Sequence, residues 1–411
     1  MRRIRFSVGG IEHLHIDIWL SMLSLCLYGL IMVFSASAYQ CSFSSKYNYN
    51  QYYLLQRQAL YVALGIVVCL MFQFIHYSIL YRLAIPIYIF SIGCIFLLLT
   101  SFGVSVNGAT RWLNIGGIRF QVAEITKIGV IIGLAYMVKR YYKSLHNVKL
   151  LLYMWAMGGV GAALLIGISN DLSSSIVVLG ITFGITFIYT YQMKIHLLTI
   201  AIGGSGISLY VLHVWRNMPS LSDLSGMSFR IGRIAAWLAP EKYQSDISYQ
   251  TLQALYAIGR GGVWGQGLGQ SLQKLSALPE AQNDMIFAIV CEELGIVGAT
   301  ILIGLFLYLF YCLYKAAVNS TEVFGSVLAV GTLLHVSIQT LINISVNLNL
   351  IPNTGITLPF ISYGGTAVFC QLAEMAMVLS VIRTSNNLKV IQIHKKKEKK
   401  HANRKSHNKI L

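Results

Sequence analysis

The stretch Leu278-Pro279-Glu280-Ala281-Gln282-Asn283-Asp284 runs directly into Met285-Ile286-Phe287-Ala288 and an apolar segment that continues to Cys312. A helix over 285–312 exceeds the ~30 Å hydrocarbon core of a bilayer, so the segment reads as a membrane helix with a carboxylate at its mouth. Nine further apolar runs lie near 18–38, 58–76, 82–101, 122–138, 150–168, 174–191, 196–214, 323–345 and 363–383. They are continuous rather than alternating, which selects helices over a barrel. Only 11% of residues are charged and the mean hydropathy is +0.64, whereas soluble domains carry roughly 25% charged residues. The expected fold is therefore an all-α polytopic membrane protein of about ten transmembrane helices. A long extracytoplasmic loop separates helices 7 and 8. The first run is too long for a signal peptide, and Ser35-Ala36-Ser37-Ala38 is a weak cleavage-site lookalike.

Lys and Arg set the orientation. With the N-terminus inside, 20 of them fall on cytoplasmic segments and 10 on outer loops, with Lys127 inside a helix. Both termini are thus expected in the cytoplasm, as a single transmembrane domain over 1–384 and a basic, disordered tail over 385–411. The net charge of +17 is largely this asymmetry. Lys395-Lys396-Lys397-Glu398-Lys399-Lys400, following a membrane helix, suits anionic membrane lipid or solvent and not nucleic acid. Six of the seven cysteines fall in apolar runs and only Cys41 in an outer loop, so no disulfide framework is implied. The histidines show no metal-ligand spacing; His13 and His15 are two apart.

The unusual sequence is on the outside, in segments 102–121, 215–284 and 346–362. The middle one is too long to be structureless. Within it, 250–259 puts Leu252, Leu255 and Ile258 on one helical face, as in a short amphipathic helix at the outer membrane surface. The glycine-rich Gly261-Gly262-Val263-Trp264-Gly265-Gln266-Gly267-Leu268-Gly269 lacks the strand-then-helix context of a nucleotide fingerprint.

Acids within a membrane are functional candidates by default. Glu124 and Lys127 share one helix face and can neutralise each other, as a structural pair or, with Arg111 and Arg119, as a basic rim for a diphosphate. Asp171, in Ser169-Asn170-Asp171-Leu172-Ser173, reads as the N-cap of the sixth helix. The adjacent Glu292 and Glu293 point to different faces, and one of them needs a neighbouring helix. For Asp284, spacing leaves a helix cap and a working base equally open.

These blocks resemble the SEDS family of cell-wall polymerases (FtsW, RodA and SpoVE) over roughly residues 15 to 385. The resemblance rests on Asn107-Gly108-Ala109 with Arg111-Trp112, Phe120-Gln121 with Glu124 and Lys127, and Tyr249-Gln250 through Gly259. It continues through Leu278-Pro279-Glu280-Ala281 with Asp284, Glu292-Glu293-Leu294-Gly295, and Gly355 through Leu358-Pro359-Phe360-Ile361-Ser362-Tyr363-Gly364-Gly365. The forms at 278–281 and 357–365 are closer to the division branch, FtsW. The family's Gln-Pro-Ser-Glu reads Gln121-Val122-Ala123-Glu124 here, its Gln-Pro-Asp-Leu-Gly reads Ser169-Asn170-Asp171-Leu172-Ser173, and Met285 replaces an aromatic. These changes alter backbone rigidity without removing a charge.

The resemblance implies a peptidoglycan glycosyltransferase that polymerises lipid II during cell division and releases undecaprenyl diphosphate. It implies a multi-pass protein of the bacterial cytoplasmic (inner) membrane, placed at the division septum with a class B penicillin-binding transpeptidase and other division proteins. Asp284 would be the catalytic base, with Arg111, Trp112, Glu124, Lys127, Asp171, Glu280, Ser362 and Tyr363 binding substrate. No cofactor is required, and a divalent cation such as Mg2+ or Mn2+ beside the diphosphate stays open, its ligands unidentified. The rivals are the same chemistry in elongation, a lipid II flippase and a non-catalytic scaffold.

Overall fold

The computed structural model describes residues 13–106, 109–218, 229–243, 248–275 and 278–407. The motif residues Asn107 and Gly108, the acids Asp223 and Asp246, and Arg2, Arg3 and Arg5 lie outside the described residues.

Every apolar run becomes a helix. They are α1 (Leu14–Phe43), α2 (Tyr53–Phe72), α4 (Ala84–Leu97, after the short α3, Ser78–Arg82), α5 (Val122–Arg140), α6 (Val148–Gly167), α7 (Leu172–Tyr189) and α8 (Met193–Arg216), followed after the long loop by α11 (Ile286–Asn319), α12 (Val323–Asn347) and α13 (Gly365–His407). Eight of them are long and apolar enough to cross a membrane. The other two are α4, which is short, and α5, which carries Glu124, Lys127, Lys139 and Arg140. The span in α13 is Gly365–Asn386, and its backbone continues as helix to His407 where a disordered tail is expected. No Gly or Pro follows Gly365 to stop it. Because α1 reaches Phe43, Cys41 is a buried helical residue rather than a loop one.

The most apolar stretches of α13 and α12 are 83% and 61% buried, against 6% for α8. The centre of the bundle is thus α12, packed against α11, α5, α7 and α13, while α8 is peripheral. Buried His196 fixes one end of α8 among Trp155, Phe183 and Phe187, and Val214 fixes the other against Ala235 and Tyr243.

Two of the outer segments are ordered differently from plain loops. Residues 103–106 and 109–121 form an antiparallel sheet of β1 (Gly103–Val106), β2 (Ala109–Ile115) and β3 (Ile118–Gln121). Gly116 and Gly117, at φ 60° and 83°, close the β2–β3 hairpin between the paired Ile115 and Ile118, the left-handed pair that a two-residue I′ turn demands. The long loop folds into α9 (Phe229–Leu238) and α10 (Tyr249–Gly261), the latter over the predicted amphipathic stretch and packed on α11.

At 34 residues α11 is too long to be one straight span. It breaks at Gly295, with φ 65° and ψ −165°. The break orphans carbonyls before it and N–H groups after it. The glycine-rich loop satisfies both: Gln266 and Gly267 donate to Glu292 O and Glu293 O at 2.9 and 3.0 Å, and Ile296 and Val297 donate to Gly262 O and Val263 O at 3.0 and 3.2 Å. A Cβ at Gly295 would stand 2.4 Å from Val263 O. Side chains fasten the same seam. Glu293 accepts from Lys274 Nζ at 2.7 Å, Ser35 Oγ at 2.6 Å and Gly269 N at 3.0 Å, while Glu292 accepts from Ser271 Oγ and from Leu272 N at 3.1 Å.

Candidate active site

Asp284 occupies the turn between the long outer loop and α11. Its backbone is held hard, since Asn343 and Asn347 of α12 both donate to its carbonyl, at 2.8 and 2.9 Å. Its carboxyl is held lightly. The partners are Gln250 Nε2 on α10, at 3.3 Å, and its own backbone N–H. Asp284 does not cap α11, whose N-cap residue is Met285 and has no side-chain cap bond. Asn347 Oδ1 instead accepts from Ala288 N at 3.1 Å, so α12 caps α11 from outside. That leaves the carboxylate free for chemistry.

Burial, with Glu280 second, pushes the Asp284 carboxyl up to about 7; its own N–H, Arg233 and Gln250 pull the other way. Glu280 sits exposed at φ 54° four residues earlier, bonded to Asn283. On the far side is the segment 348–364. Gly355, at φ 72°, is placed so that a Cβ would lie 3.8 Å from Asp284 Oδ2. Asn353 Nδ2 donates to Gln250 Oε1 at 2.9 Å, so the one side-chain donor on Asp284 is itself oriented.

The cationic side is built by two arginines from different elements. Arg111, on β2, donates through Nη2 to Asn170 O at 2.9 Å and has a buried Nε with no partner among the described residues. Arg233, on α9, interacts electrostatically with Arg111, Asp284 and Asp171. Burial, then Arg111, lower it from the ordinary arginine value, and the two carboxylates oppose that shift. Two guanidiniums repelling each other beside a buried carboxyl make a place for an anion bearing more than one charge. Trp237 Nε1 anchors α9 on Asn349 O at 3.0 Å.

Arg233 is thus the link: it interacts with Asp284 on one side and with Arg111 and Asp171 on the other, while Glu280 acts on Asp284. Asp171 is the N-cap of α7, accepting from Ser174 N at 3.0 Å and Ser174 Oγ at 2.8 Å. Ser362 and Tyr363 frame the segment opposite: Ser362 Oγ accepts from Leu358 N at 2.7 Å, and Tyr363 N donates to Gln282 O at 2.8 Å. Trp112, half-buried on β2, stands beside Arg111 and pairs with Gln121. Glu124 and Lys127 go elsewhere. Lys127 is 2% exposed and engaged by Glu124 at 2.6 Å and Gln339 at 2.9 Å.

The sequence reading passed over Arg233, Gln339, Asn343 and Asn347. The last three had a legible signal, because His335, Gln339, Asn343 and Asn347 recur every four residues along an otherwise apolar helix. Arg233 had none beyond its charge. Among the described residues, no three His, Cys, Asp or Glu side chains come together as a metal site.

The family model for the FtsW/RodA/SpoVE cell cycle proteins matches residues 16–387. A probable peptidoglycan glycosyltransferase FtsW of Thioalkalivibrio sulfidiphilus is 33% identical over 386 residues, covering 90% of each chain. The stage V sporulation protein E of Bacillus subtilis is 33% identical over 375 residues, covering 90% of this chain and 97% of that one. Among solved structures, a chain of a peptidoglycan synthase complex superposes with a TM-score of 0.70 at 24% identity, over 90% of this chain and 97% of that one. The rod shape determining protein RodA of Thermus thermophilus gives 0.60 at 23%, over 89% and 95%. With the bundle and its outer site arranged as above, the chain belongs to the FtsW/RodA/SpoVE family of membrane-spanning cell cycle proteins.

Proposed function

We propose that this chain is a division-type peptidoglycan glycosyltransferase, polymerising lipid II on the outer face of a bacterial cytoplasmic membrane. The observation that carries this is the state of Asp284: buried, released from capping, held near 7, and within the electrostatic reach of Arg233, which Arg111 adjoins. Asp284 takes the proton of the acceptor's 4-hydroxyl as that oxygen attacks the donor's anomeric carbon. The bond to the diphosphate breaks with inversion, and undecaprenyl diphosphate leaves.

A diphosphate is a good leaving group and needs charge stabilisation rather than protonation, so one carboxylate suffices where glycoside hydrolases use two. Arg111 and Arg233 supply that stabilisation. Lys127 is enclosed by Glu124 and Gln339 and supports the site from within the bundle. The broken α11 is a feature that transporters share, but here the loop plugs the break and pairs its freed backbone groups within the protein. A class B penicillin-binding transpeptidase is the partner this reading names, and the septum its place.

Polymerisation of labelled lipid II by the purified protein with its candidate transpeptidase tests the reading, wild type against Asp284→Ala. Long glycan strands from the wild type, reduced by about 10²-fold or more in the variant, are expected for loss of a positioned base. Near-full activity of Asp284→Ala would remove the base assignment. Labelled lipid crossing liposomes with no strands formed would replace the polymerase by a flippase.

A further inference from the structure

One cluster of ionisable groups is left unused by this chemistry, at the centre of the bundle. Glu124 and Lys127 of α5, His335 and Gln339 of α12, and Glu374 of α13 are all 0–3% exposed and form one chain of contacts. Lys127 donates to Glu124 at 2.6 Å and to Gln339 Oε1 at 2.9 Å. His335 Nε2 lies 2.9 Å from the same Oε1 and 3.8 Å from Glu124 Oε2, and His335 Nδ1 faces both oxygens of Glu374 at 2.9 and 2.8 Å. Cys370 of α13 faces Glu124, Lys127 and Glu374.

Donor and acceptor chemistry fixes the protons here. Lys127 only donates, so the Gln339 atom facing it is the amide oxygen, and the amide nitrogen points to Thr357 O at 3.1 Å. An oxygen only accepts, so His335 Nε2 carries a hydrogen. That leaves Nδ1 opposite a carboxyl, with one proton between them. Imidazolium with carboxylate, or neutral imidazole with carboxylic acid, are the two ways to write it, and both are neutral. With Glu124 and Lys127 cancelling, the whole cluster is neutral only while that proton stays.

We infer that His335 and Glu374 are a positioning pair: their shared proton holds Gln339, and through it Lys127 and the Thr357 carbonyl, which fixes the segment that walls the carboxyl of Asp284. Thr357 lies two residues from Gly355, where an added Cβ would stand 3.8 Å from Asp284 Oδ2. The inference rests on Asp284 being the base, and its test separates the two.

His335→Leu strands the Glu374 carboxylate; adding Glu374→Gln removes the stranded charge. In the lipid II assay, His335→Leu is expected to lower kcat about tenfold or more with KM for lipid II little changed, as for a displaced catalytic wall. Its melting temperature in detergent is expected to fall. The double variant is expected to regain the melting temperature but to keep the lowered kcat, because the Nε2–H that held Gln339 is still missing. If His335→Leu does not fold, a folded double variant with lowered kcat still supports the pair, and an unfolded one, or a folded one with wild-type kcat, overturns it. A folded His335→Leu with wild-type kcat, or a double variant melting no higher than the single, overturns it too. An Asp284→Ala protein that still polymerises would sink the base assignment, while the melting temperatures judge the pair independently.

Discussion

A carboxyl that burial holds near 7 is half ionised at neutral pH, and only the ionised half can take a proton. The polymerisation rate is therefore expected to climb as pH rises through about 7 and to flatten above it, read as kcat/KM across buffers of constant ionic strength. A rate flat from pH 5 to 9 would contradict it. The same shift works against stability. The folded-state value lies above the ordinary 3.8, so the protonated form is the one the fold favours, and stability is lost as pH rises from 3.8 through about 7. Asp284→Asn is accordingly expected to melt higher than wild type at pH 8, with the gap closing toward pH 4, while polymerisation falls by about 10²–10⁴. A lower melting point at pH 8 would show that the carboxylate is a structural group. Spacing alone could offer Asp284 as cap or base and no more, and only the family resemblance favoured the base. The deciding contact, Asn347 on Ala288 N, spans 59 residues and belongs to the packing of two helices. Arg233 was unreadable for a similar reason, because its meaning comes from its interactions with Arg111, Asp171 and Asp284, which lie far from it in the chain.

Among the elements, α11 shows how much of an outer site depends on backbone groups being satisfied inside a membrane. Its break at Gly295 is stable only because residues 262–267 complete the interrupted ladder, and Lys274–Glu293 closes the seam with side chains 6% and 0% exposed. Removing one member of a buried pair leaves the other uncompensated, typically at about 3–5 kcal/mol. Lys274→Met is thus expected to lower the melting temperature clearly, and Lys274→Met/Glu293→Gln to recover most of the loss. Equal destabilisation by both would place the effect in packing instead of charge. The existence of each helix was plain from its apolar run. The β2–β3 hairpin was also available, since Gly116-Gly117 between Trp112-Leu113-Asn114-Ile115 and Ile118-Arg119-Phe120 is a hairpin signal, yet a segment framed by membrane helices was taken as loop. The break at Gly295 had no such sign, because a single glycine in an apolar helix is ordinary and its positive φ follows from a partner loop about thirty residues away.

Across the whole molecule the groups with chemistry to do are gathered at one end of the bundle. β2, α9, α10, the turn at 278–285 and the segment 348–364 belong to that end, and in the sequence its segments hold 10 Lys and Arg against 20 on the segments of the other end. The position of the site relative to the membrane follows from that asymmetry, since cytoplasmic loops are the ones enriched in Lys and Arg. The site must then face outward, where a lipid-linked sugar already flipped across the membrane can reach it. All seven cysteines are buried, which leaves the wild type a quiet background for thiol chemistry. Arg119→Cys on β3 and Lys143→Cys after α5 each put one exposed thiol at opposite ends of the bundle. In intact cells whose outer barrier has been opened, a membrane-impermeant maleimide is expected to label Arg119→Cys and to spare Lys143→Cys until the cytoplasmic membrane is also permeabilised. Labelling of Lys143→Cys in sealed cells would invert the protein and put Asp284 in the cytoplasm. There its acceptor could be no growing strand on the outer face, and the polymerase reading would fall with the topology.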